Sequence, residues 1–329
     1  MFKQITIFSL LTLTLFASEK PLLTIYTYDA FSASWGAAPK IKQAFEKEHE
    51  CEVKFVGLSS SIVALRKIQL EGKKTKADIL LGIDTNIAQV AKKTGLFVPH
   101  ELNNTKLDLP FAYEDDIFVP FDYSYCAFVY SEKSVKNVPH SFEELAFMPK
   151  DFKIVIQDPR SSTAGLGLLL WVKSVYGDKA GEYWKRLAPY ILTITKGWSE
   201  AYGLFLKGEA DMVLSYTTSP AYHIIDENRT DIKSAPFKEG HYGQIEVAGI
   251  LKSSKQKALA KKFLAFMHSE TFADIIPTGN WSYPVSKGSK PLPKAFDTLH
   301  KPKMLLMDGE VVEAQRKAII NEWLEAIKR

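Results

Sequence analysis

The chain has 329 residues, which is too long for a single hydrophobic core and suits about two domains. Hydrophobic residues make up 46% and charged residues 24%, as in an ordinary soluble globular protein. The formal charge is +4, from 42 basic and 38 acidic residues, with no long basic run and no acidic tail. Composition therefore gives no support for a nucleic-acid or membrane-surface partner.

The N-terminus has the pattern of a signal peptide. Lys3 supplies a positive charge, residues 5–16 are an apolar run, and Ala17 is a small residue suited to cleavage. The run is too short to span a bilayer as a stable helix, and no later stretch reaches the roughly 18 apolar residues of a membrane helix. We expect residues 1–17 to be a signal peptide and the mature protein to be exported in soluble form.

The chain contains two cysteines, Cys51 and Cys126. Export into an oxidising compartment permits a disulfide but does not require one. We predict two separate, partly buried thiols, because buried free cysteine is common. His49 lies two residues from Cys51, but no second pair stands at zinc-binding spacing, so we predict no metal site.

The first third of the chain alternates strand and helix patterns. Strands are predicted at 22–28, 51–58 and 78–82, with helices at 36–48, after 59–61 and at 86–94. This alternation predicts an α/β lobe around a parallel sheet. Ligands of such sheets gather at the carboxyl ends of the strands, where Tyr28, Asp29, Ser60 and Asp84 fall.

Residues 118–130 form the most strand-like run, which we interpret as the crossing into a second lobe. The strand–helix rhythm then repeats, and residues 242–251 are a second long strand that we interpret as the return crossing. Residues 277–285 are punctuated by proline and glycine and end in a strand, and residues 309–328 predict a final helix. Hydroxyl and aromatic residues again follow the strands of the second lobe.

The pattern of residues 154–171 predicts a buried strand, a tight turn and a helix. Ser161, Ser162 and Thr163 stand where the helix begins, and hydroxyl side chains are good N-caps. The free N–H groups and the positive end of the helix dipole make this position suitable for an anion. An ordinary capped helix is the alternative interpretation of this segment alone.

The chemical motifs of several enzyme classes are absent from the sequence: it has no P-loop, no GxSxG elbow and no complete GxGxxG. Two α/β lobes, two long connecting strands and an export signal instead suggest a hinged receptor. Its cleft would be lined by strand ends carrying Tyr28, Asp29, Asp84, Ser161, Ser162, Trp198, Tyr216, Tyr222 and Trp281. These residue types suit a ligand with flat rings, a positive charge and an anionic end.

Six stretches, beginning near Leu22 and continuing toward the C-terminus, resemble one family. They are LTIYTYDAF (23–31), ADILLGIDTN (77–86), VPFDYSY (119–125), QDPRSSTAGLGLLLW (157–171), TKGWSEAYGLFLKGEADMVLSYTTSPAYH (195–223) and IPTGNWSYPV (276–285). The chain resembles the thiamine-binding receptors of bacterial ABC importers. Ferric-iron receptors of the same fold use an adjacent tyrosine pair, and this sequence has no Tyr-Tyr.

The resemblance implies an α/β, type II periplasmic-binding-protein fold, with two lobes joined by crossing strands and the ligand cleft between them. We expect lobe 1 to comprise residues 18–122 and 245–329, and lobe 2 residues 123–244. By family pattern, Trp198 and Tyr222 stack on the pyrimidine of thiamine. Tyr28, Trp281 and nearby carboxylates face the thiazolium, and Ser161 and Ser162 meet the hydroxyl or phosphate end. The expected site also includes Asp29, Ser60, Asp84, Tyr216 and Asn280.

The resemblance also implies a non-enzymatic receptor located in the periplasm. It delivers thiamine, and its phosphate esters, to the permease and ATPase subunits of an importer. We expect a monomer that has no cofactor, since thiamine is cargo. Two departures from the family pattern stand out: residues 59–61 are three serines where the family carries an acidic residue and a glycine, and Cys126 replaces an aromatic residue.

Two alternatives remain open at this point. A thiaminase I-like transferase would use Cys126 as a nucleophile activated by an acidic base. A receptor of the same fold could also bind another small organic cation or a phosphorylated metabolite.

Overall fold

The computed structural model describes residues 20–102 and 107–328, so the signal peptide predicted at 1–17 lies outside the described residues. The strands are β1 Leu22–Tyr28, β2 Glu52–Leu58, β3 Ile79–Asp84, β4 Phe97–Val98, β5 Phe118–Ser131, β6 Ile154–Gln157, β7 Ile191–Thr195, β8 Met212–Tyr216, β9 Ile232–Ser234, β10 His241–Leu251, β11 Tyr283–Pro284 and β12 Met304–Leu305. The helices are α1 Asp29–Ser32, α2 Ala38–His49, α3 Ser61–Glu71, α4 Thr85–Lys93, α5 Phe142–Leu145, α6 Thr163–Tyr176, α7 Ala180–Leu187, α8 Trp198–Leu206, α9 Pro220–Asp226, α10 Lys257–Phe266, α11 Glu270–Gly279 and α12 Gly309–Ile327.

The strands form one continuous sheet with the order β2-β1-β3-β10-β5-β8-β6-β7. The outer strands are parallel: β1 pairs with β2 and β3 on one side, and β6 pairs with β7 and β8 on the other. The two long central strands, β5 and β10, run antiparallel to each other and to their outer neighbours β8 and β3. The sheet therefore has two α/β halves, the first around β1–β3 and the second around β6–β8.

Strand β5 crosses from one half to the other. Residues 118–125 pair with β10, and residues 126–130 pair with β8. The register of the β5–β10 ladder shifts between Glu246 and Val247, so the crossing strands are irregular near their middle. This arrangement agrees with the predicted crossing strands.

Aromatic residues pack in the core of both halves. Strand β3 is buried along its whole length, as expected for a strand covered on both faces. In the first half, Phe45 packs edge-on against Phe263 with ring centroids 5.0 Å apart. In the second half, Phe142 packs against Trp171 at 4.6 Å.

Helix α11 differs from the sequence prediction. Residues 277–285 were expected to be an irregular segment ending in a strand, but the helix runs through Pro277 to Gly279. Ser269 caps its start by accepting a hydrogen bond from the Phe272 N–H at 3.2 Å. The chain then turns sharply, and Trp281 adopts a left-handed backbone with φ of 53°. This turn aims the residues after α11 toward the middle of the sheet.

The final helix, α12, contacts both halves. Lys93 of α4 pairs with Glu313, and Lys173 of α6 pairs with Glu322 at 3.1 Å. The last helix therefore packs against both halves of the sheet. Within the described residues, no helix has both the length and the apolar character needed to cross a bilayer.

Candidate ligand-binding site

A cavity of about 460 Å³ lies between the two halves, at the carboxyl ends of the parallel strands. This is the size range of small-molecule sites. The cavity brings together most of the residues that the sequence singled out: Tyr28, Asp29, Ser60, Ser162, Trp198, Tyr216, Tyr222, Asn280 and Trp281. Among the described residues, its lining contains no lysine, arginine or histidine.

Trp198 forms one aromatic wall, at the start of α8. Its ring stacks on Tyr202 with centroids 4.7 Å apart, and its Nε1–H donates to Ser215 Oγ at 2.8 Å. Behind it, the Tyr202 hydroxyl lies 2.8 Å from Nε2 of the buried His223, whose Nδ1 lies 2.7 Å from Glu227. The indole is therefore held by Tyr202 and Ser215, and both aromatic rings line the cavity.

Tyr222 and Trp281 form a second aromatic wall. Their rings meet edge to face, with centroids 5.3 Å apart and planes at 77°. Tyr222 comes from α9 in the second half, whereas Trp281 follows α11 of the first half. The pair therefore spans the cleft between the halves.

Two buried carboxyl groups, Asp122 on β5 and Glu246 on β10, form part of the cavity lining. They face each other directly across the ladder of the crossing strands. The Asn280 amide nitrogen lies 2.6 Å from Asp122 Oδ2 and 3.0 Å from Glu246 Oε2, and the Tyr28 hydroxyl lies 2.7 Å from Glu246 Oε2. Burial raises the pKa of both carboxyl groups, and the neighbouring Asp122 raises the pKa of Glu246 further.

Sequence reasoning missed this carboxyl pair. The predicted site residues were chosen because they follow strands, whereas Asp122 and Glu246 lie inside the crossing strands. The available signal was a single acidic residue within each of two apolar runs, FVPFDYSY and YGQIEVAGIL. Tyr202 and Gln244 also line the cavity and were missed.

The N-termini of α3 and α6 meet at the wall of the cavity. Ser60 Oγ accepts from the Val63 N–H at 3.2 Å, and Ser162 Oγ accepts from the Gly165 N–H at 3.4 Å. Ser60 and Ser162 are thus the N-caps of these helices, and the N-cap predicted among residues 161–163 is confirmed. Neither first turn contains an acidic residue, so the positive ends of both helix dipoles remain uncompensated by side chains there.

Hydrogen bonds link the two halves across the cavity. Ser60 Oγ donates to the Ser161 carbonyl, and Ser199 Oγ lies 3.1 Å from Asp29 Oδ1. Arg66 donates to the carbonyl of Arg160 at 2.8 Å. Through these hydrogen bonds, the two sides of the cleft are in direct contact.

Two of the predicted site residues do not line the cavity. Asp84 is the buried N-cap of α4, where its carboxylate accepts from Asn86 N at 3.1 Å and Asn86 Nδ2 at 3.0 Å. The Ser161 hydroxyl donates instead to the Lys196 carbonyl at 2.9 Å. Both follow strands as predicted, but their polar atoms already bond to other groups of the protein, Asn86 for Asp84 and the Lys196 carbonyl for Ser161.

Cys126 does not face the cavity either. It is fully buried, and a Cβ built on Gly167 of α6 would lie 2.9 Å from its sulfur, so the thiol points into the core. Burial raises the pKa of the thiol, which disfavours the thiolate that a nucleophile requires. Cys51 is also buried and free, which confirms the prediction of two separate thiols.

Comparison with known proteins identifies close relatives. The chain is 51% identical to the thiamine-binding periplasmic protein of Brucella melitensis over 330 residues, covering 98% of this chain and 99% of the relative. It is 50% identical to the protein of the same name from Escherichia coli, covering 94% of each chain. A solved periplasmic thiamin binding protein superimposes with a TM-score of 0.91 at 50% identity, covering 94% of this chain and 97% of that one.

The solved relative confirms the expected type II periplasmic-binding-protein fold, with two α/β lobes and a cleft between them. Residues 32–273 match the family described as "Bacterial extracellular solute-binding protein". These relatives are named as binding proteins, in agreement with the prediction that the protein is not an enzyme. The chain belongs to the bacterial extracellular solute-binding protein family.

Proposed function

We propose that this protein captures thiamine in the periplasm and delivers it to an ABC importer. The observation that carries the proposal is a cavity that combines two aromatic walls with a pair of buried carboxyl groups and, among the described residues, no basic side chain. Thiamine has two flat rings, one of which is a cation, so it matches this lining. The names and high identity of the relatives support the same ligand.

The aromatic walls would hold the two rings of thiamine. Trp198 and Tyr222 would stack on the aminopyrimidine, and Tyr28 and Trp281 would face the thiazolium. A cation over an aromatic face gains roughly 0.5–2 kcal/mol, with more as water is excluded. The carboxyl pair would add a negative charge beside the same ring.

The helix N-termini would take the hydroxyethyl end of thiamine. Ser60 and Ser162 place hydroxyl groups there, and the free N–H groups of α3 and α6 suit a phosphate. We therefore propose that thiamine phosphates also bind. The serines at 59–61 remove the negative charge that the family pattern places in this turn, which favours an anionic ligand end over a neutral one.

The lobe boundaries, the transport partners and the oligomeric state belong to the same proposal. Lobe 2 would begin near residue 123 and end near residue 244, which is supported by the change of partner strand within β5. A receptor with a closing cleft would dock as a monomer on the permease of an importer that is driven by ATPase subunits.

Native mass spectrometry of protein purified without refolding would test the proposal directly. We expect a complex heavier than the free chain by the mass of thiamine or one of its phosphates. Tryptophan fluorescence titrations with thiamine, thiamine monophosphate and thiamine diphosphate would then rank the affinities of these three forms. A different ligand mass, together with no binding of any of the three forms, would refute the proposal.

A matched pair of variants tests the aromatic wall. Trp198→Ala should weaken thiamine binding by more than about 1 kcal/mol, because a stacking contact is lost. Phe147→Ala removes an aromatic ring that is 70% exposed outside the cavity, and should leave the affinity unchanged. Equal thiamine affinities of the wild type, Trp198→Ala and Phe147→Ala would exclude Trp198 from the site.

A further inference from the structure

The contacts around Asp122 and Glu246 require one more hydrogen than the neighbouring donors supply. The Tyr28 hydroxyl lies 2.7 Å from Glu246 Oε2 and 2.9 Å from Asn280 Oδ1, but it has one hydrogen and can donate to only one of them. The two hydrogens of the Asn280 amide are directed at the carboxyl groups. A proton on Glu246 completes the set, because Glu246 can then donate to Tyr28 while Tyr28 donates to Asn280.

The placement of the two carboxyl groups leads to the same conclusion. Asp122 and Glu246 lie directly opposite each other on neighbouring strands, and the Asn280 amide nitrogen is within 3.0 Å of an oxygen of each, so two ionised carboxylates would repel each other at close range. Among the described residues, Asp122 Oδ1 is buried and has no hydrogen-bond partner. This oxygen is therefore an unused acceptor beside the cavity.

The groups packed around the pair supply no positive charge. Tyr28 of β1, Asp84 of β3 and Tyr216 of β8 are the titratable groups that face it from neighbouring strands, and Asn280 after α11 is neutral. Within the described part of the chain, neither carboxylate forms an ion pair, as all recorded pairs involve other acids. Two like charges buried together without a cation cannot both ionise at low cost, so one proton is retained.

We propose that Asp122 and Glu246 share one proton in the unliganded protein and release it to solvent when a cationic ligand occupies the cavity. This inference rests on the proposed function, since it takes the thiazolium of thiamine as the cation. The charge of the pair changes from −1 to −2 as the ligand brings +1, and the proton that leaves balances the exchange. The cation then takes the place of the proton as the counter-charge.

The proposal predicts how affinity varies with pH. Protons and the cation compete for the pair, so affinity for thiamine rises by up to tenfold per pH unit while the pair still holds its proton. The rise ends once the pair is already ionised in the free protein. A thiamine analogue in which a neutral thiophene replaces the thiazolium should bind without this pH dependence.

Calorimetric titration tests the proposal without any variant. Thiamine is titrated at about pH 6.5 in two buffers of different ionisation enthalpy, and the difference in heat gives the number of protons released. We expect close to one proton for thiamine and close to none for the thiophene analogue. Thiamine binding with no proton release would overturn the inference and leave the proposed function standing, whereas no thiamine binding would overturn the proposed function.

Variants then assign the proton to the pair. Glu246→Gln, or Asp122→Asn if the first does not fold, should abolish proton release and flatten the pH dependence of thiamine affinity. Asp78→Asn removes another buried carboxyl group, one that accepts hydrogen bonds from Thr24 N and Ser254 Oγ outside the cavity, and should keep the release. Undiminished release from Glu246→Gln and Asp122→Asn would place the proton elsewhere and refute the inference.

Discussion

Gly197 provides a sharp test of whether the cleft closes on the ligand. It precedes α8 in the second half and approaches the Ser59 carbonyl of the first half. A Cβ at this position would lie 2.5 Å from Ser59 O, whereas real Cβ atoms essentially never come within 3.0 Å of another heavy atom. The backbone of Gly197 is extended, with φ of −151° and ψ of 174°, so alanine can adopt it without strain.

Gly197→Ala should therefore act only on the closed state. The two halves must separate by about 0.5 Å at this contact, and an overpacked contact of this kind typically costs about 1–3 kcal/mol. Thiamine affinity should fall by about 5- to 150-fold. The unliganded protein can open to avoid the clash. Its stability should stay the same or rise, since Gly→Ala at a compatible backbone gains about 0.4–1 kcal/mol.

Fluorescence titration with thiamine measures the loss of affinity, and urea unfolding of the unliganded protein measures its stability. Gly309→Ala is the matched control, because its Cβ would make only ordinary contacts at 3.5 Å with Gln89 and Thr85, away from the cavity. Gly197→Ala with wild-type affinity would show that the ligand-bound state does not bring these halves together, and would refute the reasoning.

Three further predictions follow from buried or capping groups. Ser60→Asp adds a negative charge at the N-terminus of α3, and titrations should show that it weakens binding of thiamine monophosphate more than that of thiamine; an equal effect on both would contradict the placement of the phosphate. Cys51 and Cys126 should react with Ellman's reagent only after unfolding, since both are buried, and rapid reaction of the native protein would contradict their placement. Burial lowers the pKa of His241 to about 4 in the folded protein. As the pH falls below about 6.5, the unfolded chain therefore binds a proton at this residue before the folded protein does. The free energy of unfolding, measured with urea, should be lower at about pH 5 than at neutral pH, and His241 should account for about 2 kcal/mol of this loss. The loss should be smaller by that amount in His241→Gln.

The fold could be predicted largely from local patterns. An apolar strand such as β3, covered on both faces, and an N-cap such as Ser162 depend on residues close together in sequence. Each pattern was confirmed because local propensity and tertiary packing favour the same structure there. Helix α11 was missed because Pro277 is normally a helix breaker, and here the helix continues for two residues beyond it.

The site was harder to predict, because its polar contacts join distant parts of the chain. Tyr28 meets Glu246 across 218 positions, and Asn280 meets Asp122 across 158. The rule that ligands gather at strand ends selected Asp84, whose carboxylate is instead used to cap α4. No spacing rule distinguishes a strand-end acid that caps a helix from one that faces a ligand.

A different criterion would have found the carboxyl pair. In a strand buried on both faces, an acidic side chain is costly unless a cation or a proton compensates it. Asp122 and Glu246 are single acidic residues in the two longest apolar strands, and neither strand contains a lysine or arginine to pair with them. His241 at the start of β10 is neutral near pH 7, because burial lowers its pKa to about 4. The missing counter-charge must then come from outside the strands. In a protein built to bind a small solute, a cationic ligand is the natural source, so the cost of burying two acids itself indicates the charge of the cargo.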